Sequence, residues 1–182
     1  MPQTGGVPLT HLESADVCGI AGLLSAHADL QSTQNQTRLK AMQRALLHRG
    51  PDGRGDFFCS SGQAALCHSR LSIIDLSPSG HQPMRSSDGR YAITFNGEIY
   101  NHDARREELE SKGERLNSRS DTEVLLRLYT LEGAQCLQKI RGMFAFVIWD
   151  QVEKTAFAAR DPLGIKPLYF IHKANGDFAF SS

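Results

Sequence analysis

Cys18-Gly19-Ile20-Ala21-Gly22-Leu23-Leu24 is a cysteine followed by small and branched apolar residues, and its reading decides the fold. The apolar run predicts a strand over 20–24. Residues 1–17, in front of it, mix Pro, Gly, Thr and Ser without any hydrophobic period. They read as a disordered extension, a propeptide or a misassigned start, and 18–182 as one domain. A cysteine heading a strand in this way is either a small buried thiol or a nucleophile uncovered by loss of the tail. In the second case its own α-amine, with a reference pKa of roughly 8, takes the thiol proton, and no separate histidine is needed. Inside a polypeptide that nitrogen is an amide and has no useful basicity.

Outward from this strand, Leu39, Met42 and Leu46 lie at helical spacing and predict a helix over 37–47, ended by His48-Arg49-Gly50-Pro51. Strands are expected over 56–60, 64–71 and 91–95, and a proline-bearing loop over 77–84. Helices are expected over 103–112 and 122–131, the second behind the capping box Ser120-Asp121-Thr122-Glu123, and a short one over 135–140. The last third reads as strands over 143–149, 155–159, 168–172 and 177–181. Hairpin-linked strands with helices between them indicate an α+β fold with antiparallel sheets covered by helices, not a βαβ repeat. The chain stops within its last strand pattern, which reads as a truncation.

Composition excludes several classes. Twenty basic and twenty acidic residues cancel, which argues against a nucleic-acid surface or a polybasic membrane patch. No apolar run is long enough to span a bilayer, no signal peptide is visible, and a cytoplasmic location is expected. Cys18, Cys59, Cys67 and Cys136 fit no zinc spacing. No metal is expected, and the last three read as reduced, buried thiols.

Four positions besides Cys18 carry chemistry, each with a structural alternative. Asn96-Gly97 offers a side-chain amide and a backbone N–H to a tetrahedral oxyanion, but Asn-Gly is also a common hairpin turn. Arg70 suits a bidentate fork to a carboxylate, or an ordinary surface ion pair. Asp121 suits an ammonium, or simply the start of a helix, where the dipole favours an acid. Singly, the structural alternatives are the better bets. His48, His68, His81 and His102 show no spacing that singles one out, and they read as structural or hydrogen-bonded loop residues.

Taken together, the segments Cys18-Gly19-Ile20-Ala21-Gly22, His48-Arg49-Gly50-Pro51-Asp52-Gly53, His68-Ser69-Arg70-Leu71-Ser72-Ile73-Ile74-Asp75, Phe95-Asn96-Gly97-Glu98-Ile99-Tyr100-Asn101 and Ser120-Asp121-Thr122-Glu123-Val124-Leu125 resemble the class II glutamine amidotransferase domain of the asparagine synthetase family. Gly142-Met143-Phe144-Ala145-Phe146 and the run from Arg160 to Tyr169 extend the resemblance, which covers nearly the whole chain from Cys18 onward. The resemblance implies a four-layer αββα N-terminal-nucleophile hydrolase sandwich with two antiparallel sheets. It implies Cys18 as nucleophile, Asn96 and Gly97 as oxyanion hole, and Arg70 as the partner of the glutamine carboxylate. Glu98 and Asp121 would meet the amino end of glutamine, and Leu71 and Ile73 would line the same pocket.

The implied reaction is hydrolysis of glutamine to glutamate and ammonia through a cysteine thioester. No cofactor is expected for this step. ATP and Mg are expected only in a synthetase domain, for which this chain holds no nucleotide motif. That domain is an expected partner in cis or in trans, and a homodimer is an open option. A non-catalytic module that binds glutamine or a partner subunit is the alternative, as is an amidotransferase with another acceptor. Val17 stands where this family carries its initiator methionine. It is expected to be the true start, read from a valine-type initiation codon, with a cleaved propeptide as the alternative.

Overall fold

The computed structural model describes residues 18–71 and 80–182. The expectation for residues 1–17 therefore lies outside the described residues. Among the described residues, nine strands form two sheets in which all pairing is antiparallel. The five-stranded sheet has the order β2 (Gly53–Phe58), β3 (Ala64–Arg70), β1 (Gly19–Leu24), β9 (Phe178–Ser181), β8 (Tyr169–His172). The four-stranded sheet has the order β4 (Met84–Arg85), β5 (Tyr91–Ile99), β6 (Gly142–Asp150), β7 (Thr155–Arg160). The helices are α1 (Thr33–Ala45), α2 (His102–Ser111) and α3 (Asp121–Glu132), followed by a 3-10 turn at Gly133–Gln138.

Strand alternation sorts the apolar residues into three layers. Ile20 of β1 and Ala64 and Leu66 of β3 face Ala92 of β5 and Ala145, Val147 and Trp149 of β6, which makes the seam between the sheets. The next residues along, Ala21, Ala65 and Cys67, turn the other way and pack on Leu39 and Leu46 at the α1 side. On the four-stranded sheet, Ile93, Phe95, Phe144, Phe146 and Ile148 face Leu109 of α2 and Val124, Leu125 and Leu128 of α3. The result is helix, sheet, sheet, helix: the four-layer αββα sandwich. Two polar bonds cross the central seam. Thr94 Oγ1 donates to the carbonyl of Cys67 at 3.1 Å, and His68 Nε2 sits 3.2 Å from the carbonyl of Phe95.

The strand expected over 56–60 lies at Gly53–Phe58, the short strand Met84–Arg85 has no counterpart in the sequence reading, and the helix expected over 135–140 is the 3-10 turn Gly133–Gln138; three further departures have a local cause. The first helix starts at Thr33, ahead of the apolar period, because buried Asn35 donates to the Asp29 carbonyl and fixes the first turn. β5 does not stop at Phe95. It runs through Asn96-Gly97 to Ile99, since β6 pairs with it along its whole length. The capping box is half built. Ser120 caps the Thr122 N–H, while Glu123 accepts from the Asn117 and Ser118 N–H groups instead of reaching back to Ser120.

His68 is wholly buried, and burial pushes its imidazole down to about 3. The unfolded chain therefore takes up a proton below about pH 6.5 that the folded chain refuses until about pH 3. Over that window His68 makes stability fall as pH falls, by up to about 1.4 kcal/mol per pH unit. Denaturant melts of His68→Gln between pH 7 and pH 4 should show a shallower acid slope than the unsubstituted chain; equal slopes would contradict this.

Candidate active site

Cys18 shares the parity of Ile20, and Arg70 that of Leu66 and His68, so both belong to the inner face of the five-stranded sheet. Asn96 shares the parity of Ala92 and Thr94 and belongs to the inner face of the four-stranded sheet. The groups therefore meet in the seam between the sheets, next to the His68–Phe95 crossing. Cys18 Sγ accepts from the Leu71 N–H at 3.4 Å and lies 3.5 Å from the Leu71 carbonyl. Ile73 lies outside the described residues.

Asn96 is 1% exposed, and neither its amide nitrogen nor its oxygen has a hydrogen-bond partner among the described residues. An unpaired buried polar atom costs about 1–3 kcal/mol, so a natural protein holds one for a reason. The next residue completes a pair. The Phe95 N–H donates to Gln82 Oε1 at 2.7 Å, and the Ile99 N–H donates to Asp121 Oδ2 at 2.9 Å. Backbone groups alternate along a strand, so the Gly97 N–H points to the same edge, between these two. On the other side of β6, Phe144, the register partner of Gly97, bonds Asp161. A Cβ on Gly97, whose φ is +155°, would sit 2.2 Å from the Met143 carbonyl oxygen, so no other residue fits the ladder here.

Charged groups ring the sulfur. Burial raises the proton affinity of the Cys18 thiol; the Leu71 N–H, Arg70 and Lys166 pull it down, and Asp121 pushes it up. The Asp121 carboxyl is raised by burial, with the Ile99 N–H working against the shift. Glu98 lies within electrostatic range of both Asp121 and Lys166. The turn after α1 brings Arg49 to the same place: its guanidinium, lowered by burial, feels Cys18 and Tyr169. Gly50 allows that approach, since a Cβ there would lie 2.3 Å from the Ser69 carbonyl oxygen.

The structure thus gathers Cys18, Arg70, Leu71, Asn96, Gly97, Glu98 and Asp121 around one end of the seam. It adds Arg49, Gln82 and Lys166, which sequence reasoning passed over. Arg49 and Lys166 stand in segments that carry the resemblance, which implies no role for either at the site. Gln82, in a proline-bearing loop, takes the place of a strand partner for Phe95. Among the described residues no group of three or more His, Cys, Asp or Glu side chains is arranged to hold a metal ion.

Lys166 is held by Asp161. The Asp161 carboxylate accepts from the Ile165 and Lys166 N–H groups at 2.9 and 3.0 Å and from the Phe144 N–H at 3.2 Å. Burial opposes the charge on Asp161, but these backbone donors outweigh it and lower the carboxyl. Its contribution to stability is complete above about pH 3.8, the unfolded value, and is lost as pH falls through the lower folded value. Asp161→Asn should cost about 1–3 kcal/mol in denaturant melts at pH 7, with the difference from the unsubstituted chain shrinking below pH 4. A constant difference down to pH 2.5 would contradict the charge-based account.

Comparison with known proteins adds three findings. Residues 17–182 match the family model described as glutamine amidotransferase domain. An asparagine synthetase (glutamine-hydrolysing) of Bacillus subtilis is 44% identical over 154 residues, 85% of this chain and 24% of that protein. One from Arabidopsis thaliana is 40% identical over 166 residues, 91% of this chain and 28% of the relative. An amidase of Gibberella zeae is 36% identical over 85% of this chain and 24% of its own length. The chain thus spans about a quarter of the length of the curated relatives it matches. In structure it is similar to the glutamine phosphoribosylpyrophosphate amidotransferase of Bacillus subtilis, with a TM-score of 0.73 and 22% identity over 90% of this chain and 41% of that one. That likeness bears on the fold alone.

Proposed function

Because the chain belongs to the glutamine amidotransferase domain family, we propose that it hydrolyses glutamine to glutamate and ammonia through a thioester on Cys18. We place it as the glutaminase portion of an asparagine synthetase-like enzyme, supplying ammonia to an activated aspartate. The observation that carries the reading is the buried, partnerless amide of Asn96 in the same seam as the cysteine. A donor held without an acceptor is what a developing oxyanion requires, because no reorganisation is then needed during the reaction.

In the proposed cycle the α-amine of an amino-terminal Cys18 takes the thiol proton, and sulfur attacks the side-chain carbonyl carbon of glutamine. The carbonyl oxygen becomes an oxyanion, met by Asn96 Nδ2 and the Gly97 N–H. The C–N bond breaks as the ammonium of Cys18 returns the proton to the leaving nitrogen, and ammonia departs. Water then attacks the thioester with the amine again as base. Glutamate leaves, and the proton returns to sulfur. Arg70 takes the α-carboxylate of the substrate, Asp121 and Glu98 take its ammonium, and Leu71 lines the pocket. Every step uses protein groups; ATP and Mg belong, in this proposal, to a synthetase domain supplied in cis or in trans. The cytoplasm is the proposed compartment, in keeping with four free cysteines. An amidotransferase with another acceptor is the second reading, since the glutaminase half leaves the acceptor open.

The test is ammonia release from glutamine by protein beginning at Cys18, at Val17 and at Met1. Activity is expected only where Cys18 carries a free amine, including after removal of an initiating residue. Cys18→Ala should abolish it with the fold intact, and Asn96→Ala should lower kcat by about 10²–10³. Equal activity in Cys18→Ala would end the thiol mechanism, and full activity on a persistent Met1 start would end the role of the amine.

A further inference from the structure

Gln82 is 6% exposed, and both ends of its carboxamide are bonded. Oε1 accepts from the Phe95 N–H at 2.7 Å, and Nε2 donates to Thr122 Oγ1 at 3.2 Å. Phe95 is the residue before Asn96, and Thr122, also buried, is the residue after Asp121. The bond to Phe95 stands in for a ladder bond. β4 pairs Met84 with Ile93 and Arg85 with Ala92, a register that would set Gln82 opposite Phe95. The Gln82 carbonyl faces β2 instead, where a Cβ on Gly55 would lie 2.0 Å from its oxygen. The side chain therefore takes the N–H that a backbone carbonyl would otherwise meet. Two bonds from outside the sheet, Gln82 to Phe95 and Asp121 to Ile99, bracket the Gly97 N–H along the edge of β5.

We propose that Gln82 is a positioning residue for the oxyanion pair: one buried carboxamide ties the edge of β5 just before Asn96-Gly97 to the first turn of α3 just after Asp121. In the glutaminase reading, on which this inference rests, those two places meet opposite ends of one substrate. Asn96 Nδ2 and the Gly97 N–H receive the side-chain carbonyl oxygen, and Asp121 receives the α-ammonium. The span between these ends is set by the substrate's own bonds, so the two halves of the site must be held at a matching separation. Asp121 holds the strand on the Ile99 side of Gly97, and Gln82 holds it on the Phe95 side. Both partners of Gln82 are themselves fixed. Phe95 sits within the ladder of β5 with β6, and Thr122 sits in a first turn capped by Ser120. Gln82 thus acts through Asn96 and Gly97, with no bond of its own to the reacting atoms.

The test is a double-mutant cycle on kcat/KM for glutamine hydrolysis, with every protein beginning at Cys18. Gln82→Leu should lower kcat/KM by about 10- to 50-fold in the otherwise unsubstituted chain, but by no more than about threefold in an Asn96→Ala chain, where the donor it positions is already gone. Thr122→Val removes only the acceptor of Gln82 Nε2 and should cost about 3- to 10-fold, while Thr122→Ser, which keeps the hydroxyl, should cost less than about twofold. A loss of the same size in both backgrounds would overturn the proposal and leave Gln82 a structural bond only. Unchanged kcat/KM in Gln82→Leu would also overturn it. Denaturant melts accompany each variant. If Gln82→Leu does not fold, Thr122→Val is carried through the same cycle, and an additive or absent loss there overturns the proposal, as does failure of both variants to fold. No hydrolysis by the unsubstituted chain would remove the glutaminase reading and this inference together, whereas hydrolysis with additive losses would remove this inference alone.

Discussion

Two sheets stacked through small and branched side chains hold everything else in register. Ile20, Leu66, Ala92, Ala145 and Val147 set the spacing of the seam, and the Thr94–Cys67 and His68–Phe95 bonds pin the sheets against sliding. Because side chains alternate with a period of two, a slip of one residue in either sheet would carry Cys18 or Asn96 out of the seam. Chemistry at this site therefore depends on a packing constraint. The central layer is built largely from alanine, valine and leucine, with Trp149 and Phe180 as its large members, and it leaves the end near Cys18 to polar groups.

That polar end balances opposing demands. Burial alone would keep the Cys18 thiol protonated and Asp121 neutral, as the upward shifts of both show. Backbone N–H groups from Leu71 and Ile99, and cations from three separate segments, work against it. The site thus combines a water-poor seam, in which electrostatic interactions are strong, with fixed donors that make the charged forms attainable. Asn96 belongs to the same design: its buried amide nitrogen has no acceptor among the described residues, a cost that a bound acceptor would relieve.

Much of this was legible in the sequence because the strongest signals are local. Apolar alternation gave most strands, and the glycine and proline turns gave their ends. The linear motifs around Cys18, Arg70, Asn96 and Asp121 named residues that the fold brings to one end of the seam. What stayed hidden was long-range. Asn96-Gly97 has hairpin chemistry, and only the nine-residue ladder with β6 shows that β5 passes through it. Lys166 carries the residue type least expected inside a protein, and nothing near it in the chain reveals that Asp161 turns it inward. Arg49 closed a helix in the sequence, and its place near the sulfur depends on the contact of Gly50 with β3. Gln82 acts as a strand partner from within a loop, a role without a sequence signature.

The central claim is that the sulfur of Cys18, in the same seam as Asn96, carries the acyl group. Acid-quenched mass spectrometry after mixing glutamine with protein that begins at Cys18 tests it most directly. The account predicts a γ-glutamyl adduct confined to the Cys18 peptide, appearing before glutamate accumulates and decaying as glutamine runs out. Steady release of glutamate with no adduct at Cys18, or an adduct on Cys59, Cys67 or Cys136 instead, would contradict it.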